Sequence, residues 1–320
     1  MALSDLAVFS EYAYTAMTEM QDQQVQLFNT ATRGGIVLQT GNHQGDYSEQ
    51  AIWAKISGLV RRRNAYGSGT VAEKELQHLV DTTVKVAAGT PPVRIDPGML
   101  KWIQRSPEEA GVVVGRQLAE DSIADMLNTA ILCYVAAIRQ VETLVYEHDG
   151  SASLIALNKG ASRFGDRASA LVVWVLHSKS AFDIYGEALT NANRLFVFGT
   201  VRVIEDGFGR PLVVTDSPYL MEEGEEGAPD KYHILGLSSG AILVSQNGDF
   251  TDNIETKNGY ENIIRTYQAE WSYNLGVKGF SWDKTNGGKS PTNAALGTSA
   301  NWIRYATSDK DLAGVLVTAQ

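Results

Sequence analysis

Five histidines, one cysteine and a run of three arginines are the residues of this 320-residue chain best suited by type to carry chemistry, and their spacing decides which chemistry is open. His43, His78, His148, His177 and His233 are scattered, with no HExxH or other pairing that would set two on one helix face. Histidines so isolated are expected as surface or satisfied core residues. Cys133 stands alone in "NTAILCYVAAI", which excludes an internal disulfide and any CxxC metal site. It is expected to be a small buried core residue. The glycine pairs "GSG" (67–69) and "GFG" (207–209) lack the GKS/T or GxGxxG continuation that wraps phosphate at a helix N-terminus, so both read as turns. "SSG" (238–240) sits between strand patterns rather than at a strand-to-helix elbow, and Asp216 in "VTDSP" is ordinary turn chemistry. No catalytic residue, cofactor or metal site is expected from these patterns. An α/β enzyme with an unrecognised site would have to use Asp216 or His177.

The arginines are different. Arg61, Arg62 and Arg63 in "LVRRRNAYGSG" stand beside Tyr66 and a glycine-rich turn. Such a triplet suits phosphates or carboxylates. The chain carries a formal net charge of −10 and a sequence pI near 5.0, so it has no broad basic field for a polyanion. Any contact with DNA is expected to be weak or local.

A chain that is 44% hydrophobic and 9% aromatic has ample material for a packed core in one large domain or two ordinary ones. Its start, "MALSDLAVFSEYAYTAM", lacks a basic n-region, and no stretch reaches about 18 uninterrupted apolar residues, so a soluble protein made in a cytoplasm without a membrane partner is expected. Residues 4–29 carry helical apolar spacing after Ser-Asp. From Gln50 to Asp96 the punctuation of Gly58, "GSG" and "GTPP" reads as strands with one short helix. Ser106, Pro107 and Glu109 then give three start signals on one turn, and an apolar stripe from Ile123 through Tyr134 to Val141 and Val145 predicts one helix running to "HDG" at 148–150, about 60 Å long. Gly111 and Gly115 have a spacing that either lets a second helix approach closely or is a tolerated accident of packing. "ALVVWVL" (170–176) predicts a strand buried on both faces, followed by an amphipathic helix in "SAFDIYGEALTNA". "RPLVVTDSPYL" predicts a strand and turn, "MEEGEEGAPDK" (221–231) a solvated loop, and "YHILGLSSGAILVSQ" two joined strands. "RTYQAEWSYNLG" has a period of two and predicts a long strand with one wet face. The six tryptophans are spread through every segment and read as core and contact anchors.

In this order the long helix, "ALVVWVLHSKSAFDIYGEAL", "FGTVRVIEDGFGRPLVVTDSPYL", "GLSSGAILV" and "LGVKGFSW" resemble the major capsid (coat) proteins of tailed bacteriophages, which share the Hong Kong 97-type fold. The likeness runs from about Gly45 to the C-terminus and rests on the order of motifs that are individually weak. It implies an α+β chain: an N-terminal arm (1–45), an extended loop (46–96) reaching over a neighbour, a peripheral domain with the spine helix (97–164), an axial domain (165–258) and a return to the peripheral domain (259–320). It implies a virion capsid protein that assembles with itself as pentamers and hexamers into an icosahedral shell around double-stranded DNA, with non-specific proximity to that DNA. A scaffolding protein is implied, since the chain opens almost directly on the arm, together with a portal protein and a decoration protein. Arg61, Arg62, Arg63 and Tyr66 then fall at the working end of the extended loop as an intersubunit contact. Lys55, Lys74 and Lys85 lie where some members cross-link subunits, but no spacing singles out a partner. An encapsulin-like compartment shell is the alternative of the same fold.

Overall fold

The computed structural model describes residues 3–53, 60–75, 78–185, 194–198, 201–205, 209–224, 228–261 and 263–320. In chain order the elements are α1 (Leu3–Ala31), β1 (Ile36–Thr40), β2 (Tyr47–Trp53), β3 (His78–Gly89), β4 (Val93–Ile95), α2 (Pro97–Arg105), α3 (Pro107–Arg139), β5 (Val145–Glu147), α4 (Leu154–Ser162), β6 (Leu171–Leu176) and α5 (Ser178–Tyr185). There follow β7 (Arg194–Phe198), β8 (Val201–Glu205), β9 (Pro211–Val214), β10 (Met221–Glu222), β11 (Lys231–Ser238), β12 (Ile242–Gln246), β13 (Thr251–Lys257), β14 (Ile264–Val277), β15 (Phe280–Trp282), α6 (Asn293–Leu296), β16 (Trp302–Arg304) and β17 (Gly314–Ala319).

Two sheets share these strands. The first is built round β14, which pairs antiparallel with β12 and β3 along its second half and with β13 and β4 along its first; β1, β2, β15 and β16 extend it. The second runs β5-β17-β11-β6-β9-β8-β7, with β6 and β9 parallel at its centre. The step between sheets falls at Ser238–Ala241. The two strands read from "YHILGLSSGAILVSQ" do form, yet β11 belongs to the second sheet and β12 to the first, with Gly240 at φ 64° turning the chain. Of the expected segments, the boundary at 258 falls in the turn between β13 and β14, and β17 pairs with β11 and β5 in the second sheet.

Helix α3 holds the two sheets together. It starts where Ser106 and Pro107 predict, but the Ser106 side chain makes no capping bond. The Ser106 backbone N–H instead closes α2 on Trp102 O at 2.9 Å, so one residue joins two helices. The helix ends at Arg139, not at 148–150, and its 33 residues make it about 50 Å long. Val141 leaves helical geometry at φ −108°, ψ 83°, and Val145 enters β5 opposite Leu316 of β17. Those two valines are apolar because they face the core from a turn and a strand, and their helical period is coincidental. Along α3, Tyr273 of β14 donates its hydroxyl proton to Asp125 Oδ2 at 2.9 Å, and nine residues on, Tyr134 shares its own between Gly236 O (3.0 Å) and Val315 O (3.1 Å) of the second sheet. Both tyrosines are fully buried, where an unmade hydrogen bond is costly. Among the described residues α3 is the one helix long and apolar enough by composition to cross a membrane, but 72% of that stretch is buried inside the protein.

Helix α1 packs along α3 at the two expected glycines. A Cβ on Gly111 would lie 2.6 Å from Phe9 O, and one on Gly115 would lie 2.3 Å from Ala13 O. Backbone meets backbone there, with Phe9, Ala13 and Met17 buried alongside. The long strand differs from its reading in one respect. Alternation holds through Glu270, but Ser272 (3% exposed) and Asn274 (6%) are covered. Asn247, Asp249 and Lys85 close over that face, with Ser272 N–H donating to Asp249 Oδ1 at 2.8 Å and Asn247 Nδ2 donating to Ser272 Oγ at 2.9 Å. Cys133 lies in the core at 0% exposure, and Trp174, Trp271, Trp282 and Trp302 are buried as anchors. Helices α2 and α4 were missed by periodicity, although Asp96-Pro97 and the Ser153 cap, whose Oγ accepts from Ala156 N–H at 3.2 Å, mark both starts.

Candidate assembly surface

Strands β2 and β3 pair antiparallel from Tyr47↔Val84 to Trp53↔His78 and form an arm that leaves the first sheet. Of the expected elements between Gln50 and Asp96, the described residues show strands and no helix. Residues 60–75 at its far end have no regular structure, and every one of them is exposed. Val60 is 95% exposed and Tyr66 100%. Asn64 holds the turn there: its side-chain Oδ1 accepts from Tyr66 N–H at 3.0 Å and its backbone O from Gly67 N–H at 3.2 Å. Arg61, Arg62 and Arg63 all lie in this end, and among the described residues none of them forms an ion pair. Folding therefore leaves three cations and an aromatic ring unused at the tip of an arm.

The arm's base is tied firmly. Lys289 reaches Asp46 at 2.8 Å and holds its carboxyl below the usual range. Lys284 pairs with Glu49 and lies over the Tyr47 ring, while Asp81 accepts from the Tyr305 hydroxyl at 3.2 Å and Ser281 Oγ accepts from Thr82 N–H at 3.0 Å. Burial raises the Asp81 carboxyl and pushes the Tyr305 hydroxyl up to about 12. Residues 280–305 thus brace both strands. Lys85 is engaged by Asp249 at 3.1 Å, Lys74 lies in the exposed tip, and Lys55 lies outside the described residues.

The residues of the enzyme alternative do meet. His177 follows β6 and Asp216 follows β9, the central parallel pair, and His177 Nε2 stands 3.6 Å from Asp216 Oδ1 while Nδ1 accepts from Lys179 N–H at 3.2 Å. Strand ends of this kind are the usual place for ligands in α/β sheets. Among the described residues no hydroxyl or thiol is hydrogen-bonded to that imidazole. A second cluster was not legible from spacing. His233, fully buried on β11, accepts from Arg139 Nη2 at 2.8 Å through Nε2 and donates through Nδ1 to Thr318 Oγ1 at 3.2 Å, with Arg139 also paired to Glu222. Burial first, and the Arg139 charge second, push this imidazole down to about 4. It sits at one wall of an open cleft of about 540 Å³ that also holds Glu142, Glu147 and Lys231. No group of three or more metal-ligating side chains occurs among the described residues.

The described residues thus form a braced arm with an exposed cationic end, carried on a two-sheet body spanned by one long helix. The sequence matches the Gp13-like (major capsid protein 13-like) family over residues 5–316, and the chain belongs to that family. It is a capsid shell protein. No curated protein matches it by sequence. It is similar to the capsid of Ralstonia phage GP4, at 10% identity and TM-score 0.49 over 91% of this chain and 88% of that one. It is also similar to the head of Helicobacter pylori bacteriophage KHP40, at 11% identity and TM-score 0.49 over the same shares. The holo-SrpI encapsulin of Synechococcus elongatus PCC 7942 resembles it at 11% identity and TM-score 0.46 over 75% of this chain and 81% of that one. The assignment rests on the family match and not on these distant likenesses.

Proposed function

We propose that the chain builds a closed icosahedral shell round packaged double-stranded DNA by placing the β2–β3 arm of each copy on a neighbour, with Arg61, Arg62, Arg63 and Tyr66 as the gripping end. The observation that carries this reading is the exposed, unpaired arginine triplet in a chain of net charge −10. Planar guanidinium groups bind carboxylates bidentately, and every neighbouring copy is rich in carboxylates. On this reading the first sheet with α1 and α3 is the peripheral part and the second sheet the axial part, meeting its copies in pentamers and hexamers. A scaffolding protein and a portal complete assembly in the host cytoplasm, a decoration protein coats the outside, and the chain carries no catalysis of its own.

The test is R61E/R62E/R63E. The variant keeps the circular dichroism of the parent and loses shells in negatively stained electron micrographs, because acid then faces acid across the contact. That repulsion costs several kcal/mol where the pairs are desolvated and much less at a wet rim. Normal shells that fail to retain DNA would place the arginines on the genome side and overturn the reading.

A further inference from the structure

Three Asn-Gly pairs occur in the chain: Asn247-Gly248, Asn258-Gly259 and Asn286-Gly287. Such a pair is self-reactive, because a glycine nitrogen without a neighbouring Cβ can reach the asparagine Cγ. The dipeptides are the same, and the fold treats them differently.

Asn247 is 3% exposed, and its Nδ2 is held by Ser272 Oγ at 2.9 Å. Asn286 is held twice: its Nδ2 donates to Asp283 Oδ2 at 2.6 Å, and the N–H of Gly287, the would-be nucleophile, donates to Asp283 O at 2.9 Å. Asn258 lies in the turn after β13, where pairing with β14 stops at Lys257↔Ile264. Residues 257–261 are all exposed, Gly259 sits at φ +96°, and nothing stands within 4 Å of the position its Cβ would take. Among the described residues neither the Asn258 amide nor the Gly259 N–H has a hydrogen-bond partner.

We infer that Asn258 is a self-modification site, deamidating through attack by the backbone nitrogen of Gly259. Hydroxide takes the Gly259 amide proton, the nitrogen forms a bond to Cγ, and the Cγ–Nδ2 bond breaks with loss of ammonia. Water then opens the cyclic imide at either carbonyl, leaving an aspartyl or isoaspartyl residue at position 258. Each event adds one negative charge beside Glu261 at an exposed hairpin tip. This inference is independent of the assembly reading.

The full-length protein is incubated at mildly alkaline pH and mapped by peptide mass spectrometry, in native buffer and in concentrated urea. In native buffer Asn258 converts faster than Asn247 and Asn286 by about tenfold or more, the rate equivalent of about 1.4 kcal/mol in barrier. In urea, where the held amides are released, the three rates converge. Asn258→Gln removes the first acidic band to form on isoelectric focusing. Two results would overturn the inference: native conversion no faster at Asn258 than at the other two sites, or the same spread of rates persisting in urea, which would assign the ranking to flanking sequence instead of the fold.

Discussion

Replacing Gly115 by alanine tests the contact that seats α1 on the long helix. In the interior of a helix an alanine is favoured over glycine by up to about 1 kcal/mol, so propensity alone predicts stabilisation. The added methyl would stand 2.3 Å from Ala13 O, well inside contact distance, and the obstacle is backbone that cannot rotate away. Relief requires α1 to move outward by about an ångström, which loosens Phe9, Ala13 and Met17, all buried on that face. Overpacking of this kind costs about 1–3 kcal/mol. The collision therefore wins, and G115A is expected to be less stable than the parent by about 1–2 kcal/mol. Gly98 in α2 supplies the control, since a Cβ there meets nothing within 4 Å and G98A should be neutral or stabilising. The assay is urea unfolding of the unassembled subunit, followed by far-ultraviolet circular dichroism and read as midpoint shifts at constant slope. A G111A/G115A double variant should cost less than the sum of the singles, because one outward shift of α1 relieves both clashes. A G115A protein as stable as G98A would refute the backbone contact.

Three further outcomes follow from buried groups. His233 titrates at about 4 in the folded chain against 6.5 when free, so the unfolded state binds the proton first on acidification; stability contributed by neutral His233 is complete above about pH 6.5 and is lost as pH falls towards 4, amounting to about 2 kcal/mol by pH 5, and H233Q should flatten that slope in urea midpoints taken at pH 7 and pH 5. Tyr273→Phe removes the hydroxyl that joins β14 to Asp125 and Thr129 of α3 and should cost about 1–3 kcal/mol in the same assay, with Y134F as a parallel probe of the other sheet. Burial raises the Cys133 thiol well above its ordinary range, so a thiol reagent should leave the native protein unlabelled and react only as it unfolds; rapid labelling of native protein would contradict the core placement.

Local rules read well where the local signal and the tertiary role coincide. "ALVVWVL" is a buried strand because both sheet faces are covered, and Gly111 and Gly115 mark a helix contact because close approach has one residue type that permits it. The reading fails where packing decides between two uses of the same pattern. Val141 and Val145 continue the helical stripe in number but turn inward from non-helical backbone, and Ser272 and Asn274 look like a wet strand face until Asn247 and Asp249 fold over them. Nothing local announces that cover. The arginine triplet is visible as a motif, yet that none of the three forms an ion pair among the described residues is a property of the fold alone. The His233 cluster joins residues from α3, β10, β11 and β17, and no spacing along the chain brings Arg139, Glu222, His233 and Thr318 together.

The arrangement of α3 has a mechanical consequence. Tyr273 of the first sheet bonds to Asp125 and Thr129 of the helix, and Tyr134, little more than one turn beyond, bonds to the second sheet, as does Arg139 at the helix end. Sliding or rolling either sheet against the helix disturbs these directional bonds, whereas apolar contacts alone would tolerate small shifts. The β2–β3 arm is paired through β3 to β14, the strand that carries Tyr273, and braced by Tyr305 and Ser281 on the far side. The arm's direction is therefore referred, through two short steps of hydrogen bonding and one helix, to the second sheet. An exposed ion pair contributes about 0–1 kcal/mol by itself, so a tip that binds through such pairs needs a fixed presentation to make several of them at once. On the proposed assembly, the braced base of the arm would present residues 60–75, all exposed, to a neighbouring copy.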